Sequence, residues 1–334
     1  MMTRCNVRFL GVLLTCVPVL IAATEERVDQ TFTATPGMTL KVDVDFGAIE
    51  VVTNATSQIV VSAYRKVTAG TVAKEKAFLA ERPLVMKQAG SELEVKAVKP
   101  GAITGWSWNR IKTEGLYKIS VPADCSVNLD TAGGHIHVTG LAAPVVADTS
   151  GGGLKFTGVR ADIRGETSGG TIVVVDCTGK IDIDTSGGRI EVKGGGGTLD
   201  ADTSGGSIRV AQFAGPAVVE TSGGSITLEG IAGRIVGNTS GGSIQAIVPG
   251  ATLPGAVDLS TSGGSVSLTA PPDAAFTLDA SSSGGGVRSE LPVVTSGKPK
   301  RTELCGPVNG GGETVRLRTS GGSILVKRGV AAVR

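Results

Sequence analysis

The chain has 334 residues, of which 50 are glycine, 3% aromatic and 40% hydrophobic, mostly aliphatic. A formal net charge of +2 excludes attraction to nucleic acid or to an anionic membrane by bulk charge. The aliphatic content argues against the disorder that so much glycine would otherwise suggest, and leaves an all-β repeat protein.

Residues 1–23 read as an export leader. Arg4 and Arg8 form a basic start, Phe9 to Leu20 an apolar stretch that is short for a membrane span, and Ala22 and Ala23 a small-residue end, so cleavage is expected after Ala23. Removal of Arg4 and Arg8 brings the net charge to zero. Cys5 and Cys16 leave as well, and Cys125, Cys177 and Cys305 remain, an odd number that leaves at least one free or paired outside the chain. Cys125 and Cys177 fall three repeats apart, ~14 Å at the spacing of adjacent strands, which is beyond the reach of a disulfide.

Residues 24–122 form a less regular β-rich region. Leu40, Val42 and Val44, then Ile49 and Val51, alternate around Phe46-Gly47-Ala48 and predict a degenerate first coil. Ile59 to Ala63 and Leu93 to Ala97 predict further strands. Between them, Thr71 to Arg82 predicts one short helix stopped by Pro83, with a packing or capping role. Trp106-Ser107-Trp108 is the densest aromatic cluster and is expected to cap the end of the array rather than to stack a sugar or meet a partner.

Residues 123–334 are a repeat array. Thr-Ser-Gly-Gly or a near copy begins at Thr131, Thr149, Thr167, Thr185, Thr203, Thr221 and Thr239, a spacing of eighteen, and again at Thr261, Ser282 and Thr319. Relative to that first residue, positions −4, −2, +5 and +7 are apolar or small in nearly every copy. Position +5 is the cleanest: Ile136, Leu154, Ile172, Ile190, Ile208, Ile226, Ile244, Val266, Val287 and Ile324. Each pair of columns has the strand period of two, so each repeat holds two short strands. The Gly-Gly is expected to turn the chain by reaching positive φ, and Gly158, Gly179, Gly197, Gly215 and Gly233 mark a second turn. The fold class is therefore a parallel β-solenoid of eighteen-residue coils, about ten in number and ~48 Å along its axis, with the amino-terminal region as a cap. One coil alone buries too little to order itself, so stacking supplies the stability and the ends need covers.

The segment Tyr117-Lys118-Ile119-Ser120-Val121-Pro122, running into Val127-Asn128-Leu129-Asp130-Thr131-Ala132-Gly133-Gly134-His135-Ile136-His137-Val138, resembles the centre of a bacterial adhesin-like family of secreted β-strand-repeat proteins, a domain of unknown function. The Thr-Ser-Gly-Gly copies resemble that family too, and the likeness runs from Val42 to Val326. The resemblance implies the fold; it brings no catalytic residues.

Position −1 is acidic in six successive copies, Asp130, Asp148, Glu166, Asp184, Asp202 and Glu220, and then changes to Asn238 and Ser260. Carboxylates stacked ~5 Å apart repel by about 1 to 3 kcal/mol, so something should compensate. Calcium is one candidate, but the Gly-Gly-x-Gly-x-Asp order of calcium-binding repeats is absent; hydrogen bonds from turn amides or Ser and Thr hydroxyls, with screening by water, are expected instead. The same spacing would suit a sugar-cleaving carboxylate pair, yet any in-register acidic column would satisfy it, and no arginine or histidine recurs beside this one. His135 and His137 are the only histidines; with Lys155 beside His137 and no carboxylate expected in their columns, they read as solvated strand residues and not a metal site. A serine nucleophile lacks a base, and Gly194 to Gly197 and Gly310 to Gly312 lack the Lys-Ser or Lys-Thr of a phosphate loop.

No residue is assigned a catalytic, cofactor-binding or metal-binding role. The expected function is that of a secreted, non-catalytic, adhesin-like module that binds or scaffolds a protein or glycan at a surface or in the envelope, without nucleic acid and without a membrane span once the leader is gone. Its expected location is periplasmic, cell-surface or extracellular. The alternatives are a periplasmic or envelope structural protein that holds a protein partner and, last, a β-helix polysaccharide lyase or hydrolase.

Overall fold

The computed structural model describes residues 23–98, 111–248, 250, 252–296 and 300–329. The leader other than Ala23, and Trp106-Ser107-Trp108, lie outside the described residues. Two sheets of 14 strands face each other, and in each of them twelve strands stack as parallel coils while two antiparallel strands flank the stack. The chain alternates between the sheets, so each eighteen-residue repeat contributes one strand to each.

Register follows the repeat without a slip. Val145 pairs with Ile163 and Thr149 with Thr167 in one sheet, while Leu154 pairs with Ile172 in the other. Residues at one offset therefore stack in one column, and the four predicted apolar columns form a continuous core in which Ile172, Ile190, Val192 and Leu228, among others, have no exposed surface. A fifth buried column follows the second strand: Leu141, Val159, Cys177, Phe213, Ile231 and Leu253. Its mixed sizes hide it from a search for recurring residue types, and Cys177 fills it as a small apolar group. Cys125, Cys177 and Cys305 are all free thiols, the first two buried.

The degenerate coil is present. Thr39–Val44 and Ala48–Asn54 stack on the Thr131 coil, with Val44 opposite Thr131 and Ile49 opposite Ile136. One further coil lies outside it, made of Glu92–Ala97 and Lys112–Pro122. The end is then closed by antiparallel strands, Val85–Ala89 on one sheet and Gln58–Thr68 with Thr24–Thr33 on the other. Ten motif copies thus give ten coils, and two coils without the motif complete the twelve.

Chain order breaks at the other end. The last repeat, Thr314–Thr319 and Ile324–Arg328, pairs directly with the Thr261 coil, and the Ser282 coil, earlier in the chain, lies outside it. Column quality gives the physical reason: Val315, Leu317, Ile324 and Val326 are all at most 1% exposed, whereas the Ser282 coil offers Ser289 at position +7 and only a partly buried Val287. The better apolar coil takes the site covered on both sides, and Glu303–Val308 closes the outer one as an antiparallel strand.

The helix spans Val72–Ala80, with Thr71 as its N-cap accepting from the Lys74 amide. Phe78 and Leu79 pack with Phe46 and Val67. Two buried arginines clamp this layer: Arg65 donates to Glu26 and to the Arg82 carbonyl, and Arg82 donates to Asp45 at 2.7 Å with its guanidinium 3.9 Å above the Phe78 ring. Pairing and hydrogen bonding are what make such burial of charge tolerable. The helix thus has the packing and capping role expected of it. Among the described residues, no helix is long and apolar enough to cross a membrane.

Candidate functional site

Position −1 points outward from its sheet because −2 and −4 point inward, and the unbroken register turns it into a row. Asp130, Asp148, Glu166, Asp184, Asp202 and Glu220 are each opposite the next. The degenerate coil adds Asp43, opposite Asp130, so seven carboxylates stand in line. Asp182 and Asp200, opposite each other at position −3, widen the row in the middle.

Cations bound it. Lys96 lies opposite Asp43 and pairs with it at 3.3 Å. At the far end Asn238 donates to Glu220 at 2.9 Å, Ser260 donates to Asn238 at 2.9 Å, and Arg318 is the next residue in line. Arg318 itself pairs with Asp279 at 2.5 Å.

From Asp130 to Glu220 the row lines two shallow grooves of about 430 and 320 Å³ that share Asp184, together with the motif serines Ser150, Ser168, Ser186, Ser204 and Ser222. Among the described residues the expected compensation by turn amides or by Ser and Thr hydroxyls does not occur. The amide that closes each turn, such as that of Gly206, donates instead to the buried threonine hydroxyl, here Thr203. Arg164 relieves Glu166 at 2.5 Å and Lys180 lies 3.8 Å from Asp182, but among the described residues Asp148, Asp184 and Asp202 have no side-chain hydrogen bond or ion pair.

Their acidity reflects this. Burial, and after it the neighbouring carboxylates, raise the pKa of Asp130, Asp148, Asp184 and Asp200. Asp202 is pushed up to about 6, first by desolvation and then by Asp200, Glu220, Asp184 and Asp182. A carboxyl raised in the folded state stabilises the fold when protonated: its contribution is complete below the ordinary pKa and is lost as pH rises through the folded value. The melting temperature should therefore rise on going from pH 7.5 to pH 5, by an amount equivalent to about 1 kcal/mol after allowance for solvent screening. Asp202→Asn should raise it at pH 7.5 and flatten this dependence; a melting temperature that falls between pH 7.5 and 5 would contradict the account.

The other candidates lie elsewhere. His137 is on the opposite sheet and His135 just before its strand, their rings 6.4 Å apart, and His135 Nδ1 accepts the Gly153 amide at 2.8 Å. A carboxylate does face their columns: Glu50 lies opposite His137 on one side and Lys155 on the other. Burial, chiefly, lowers the His137 pKa. Glu50 escaped a reading of the array alone because it belongs to the degenerate coil. Among the described residues no three His, Cys, Asp or Glu side chains converge to hold a metal ion. Among the described residues no hydrogen bond joins a serine to either histidine, so no serine has an imidazole base.

Fold and site together define a parallel β-solenoid that carries a bounded carboxylate row on one outer face. The chain belongs to the toastrack family DUF4097, whose profile matches residues 41–327. It is similar to a candidate adhesin from Bacteroides fragilis at 11% identity, covering 90% of this chain and 97% of the other, with a TM-score of 0.34. A candidate adhesin from Parabacteroides merdae gives 10% identity, 90% and 96% coverage and a TM-score of 0.34. A proposed lipid-binding protein from Parabacteroides distasonis gives 13%, 91% and 97%, and 0.36. A comparison with the curated proteins finds no match.

Proposed function

We propose that the chain is an exported, non-catalytic, adhesin-like module that binds or scaffolds a protein or glycan partner along one face of the solenoid. The observation that carries this reading is the row of seven carboxylates from Asp43 to Glu220 at strand spacing, six of them lining two adjoining shallow grooves, the whole bounded by Lys96 and Arg318. Such a row costs stability through repulsion, and the apolar core does not need it; a face that contacts a partner gives it a use. Against catalysis stands the chemistry: a carboxylate pair at this spacing arises in any in-register acidic column and so marks no active site by itself, and the serines lack an imidazole.

Export follows from the leader expected over residues 1–23. The test is protease treatment of intact cells expressing the full chain. Degradation is the expected result for a surface module. Protection in intact cells with degradation after the outer envelope is opened would replace it by the alternative reading, an envelope protein holding a partner inside; recovery only with the cytosol would overturn export.

A further inference from the structure

Among the described residues, the amino-terminal cap holds a buried acid with no counter-ion. Glu75 lies in the first turn of the helix Val72–Ala80 and is 0% exposed. Its Oε2 accepts the Thr24 hydroxyl at 2.8 Å and its Oε1 accepts the Ala69 amide at 3.0 Å. Among the described residues no lysine or arginine side chain pairs with it. Hydrogen bonds from the Ala69 amide and then the Thr24 hydroxyl, with a further one from the Thr24 main chain, keep its pKa below the usual value against the opposing effect of burial, so it is ionised at neutral pH. A buried carboxylate held only by neutral donors is expensive unless a cation joins it.

A second observation meets it at the same residue. The small-residue end Ala22-Ala23 makes Thr24 the first residue left after the leader is cut, and the edge strand Thr24–Thr33 begins there. The Thr24 nitrogen, today an amide, belongs to the residue whose hydroxyl already touches Glu75.

We propose that removal of the leader after Ala23 completes this site: the α-ammonium released on Thr24 becomes the counter-ion of Glu75 and fastens the edge strand to the helix. The step is a hydrolysis by a leader peptidase of the export route. One water adds across the Ala23–Thr24 bond, the new Ala23 carboxyl releases its proton to solvent and leaves as a carboxylate, and the Thr24 amine takes up a proton from solvent in its place. The inference rests on the export reading and on no binding role. A first-turn acid also gains from the helix N-terminus, so the ammonium's share must be measured by itself.

The test exports the full chain from a bacterial host, sequences the amino terminus of the purified protein, and compares its melting temperature before and after enzymatic Nα-acetylation. The expected terminus is Thr24, and acetylation should lower the melting temperature by about 2 to 4 °C. In Glu75→Gln acetylation should have no effect. A different terminus, an unchanged melting temperature on acetylating the wild-type protein, or an undiminished loss in Glu75→Gln would each overturn the proposal. Should Glu75→Gln not fold, the wild-type comparison still decides it. A protein kept in the cytosol with its leader attached would instead refute export, and surface or periplasmic location has no bearing on these melts.

Discussion

Gly188→Ala should unfold the middle of the array, while Gly187→Ala, one residue earlier, should leave it almost unchanged. A Cβ on Gly188 would overlap the carbonyl of Gly170, the equivalent residue of the preceding coil; a Cβ on Gly187 would meet nothing nearer than the Ser168 carbonyl at 3.7 Å, an ordinary contact. The obstacle is backbone, which cannot swing aside, and it recurs at Gly152, Gly170, Gly206, Gly224 and Gly242. Overpacking usually costs about 1 to 3 kcal/mol, and a fixed main-chain obstacle puts Gly188→Ala at about 3 kcal/mol or beyond, against ~0.5 for Gly187→Ala. Urea midpoints of the two variants check this. Equal midpoints would mean that the coils can spread at the turn.

This result bears on why the motif contains glycine at all. The positive-φ expectation for the Gly-Gly is not met: none of these glycines in the array has left-handed φ. That conformation falls instead after the second strand, at Gly140, Gly158, Asp176, Gly194, Gln212 and Gly230. The second glycine of each pair is demanded by the coil beneath it; nothing in the structure explains the glycine at position 187.

Thr203→Val should cost about 2 kcal/mol although it preserves side-chain shape. The Thr203 hydroxyl, buried at 5% exposure, donates to the Gly188 carbonyl at 3.0 Å and accepts from the Gly206 amide at 3.2 Å. Valine would leave the buried Gly188 carbonyl and the half-buried Gly206 amide unpaired, which is the expensive way to lose a hydrogen bond. Thr203→Ser should recover most of the loss, since Ser282 already makes both bonds in its own coil, to the Gly322 carbonyl at 2.7 Å and from the Gly285 amide at 2.9 Å. Amide hydrogen exchange at Gly206 reads the local effect separately from global unfolding, which matters because long arrays need not melt as one unit. Unchanged protection of Gly206 in Thr203→Val would show that the threonine ladder does not hold the turns.

These two predictions mark how far the motif was legible. Its period and its apolar columns were readable because a strand exposes and buries alternate residues, and a coil repeats that choice every eighteen positions. The acidic row was readable for the same reason. What lies beyond Asp130 and Ser260 was not: Asp43, Lys96 and Arg318 reach it from a degenerate coil, from a capping coil and from the displaced last repeat, none of which keeps the spacing of eighteen. Glu50 beside His137 was missed likewise. The threonine's two bonds join residues one coil apart, so a single repeat shows only that a small hydroxyl recurs.

By itself, then, the sequence determined that this chain stacks eighteen-residue coils in register, because equal offsets must share a face and in-register stacking alone keeps every apolar column closed. The tertiary structure decided which coil neighbours which, placing the last repeat inside the Ser282 coil, and which residues of other coils extend and flank the carboxylate row. It also set the reason for each second glycine. Backbone pairing between parallel strands is almost indifferent to side-chain identity, so neighbours at the ends were chosen by how well distant segments seal a shared core, and that is a property of the assembled stack.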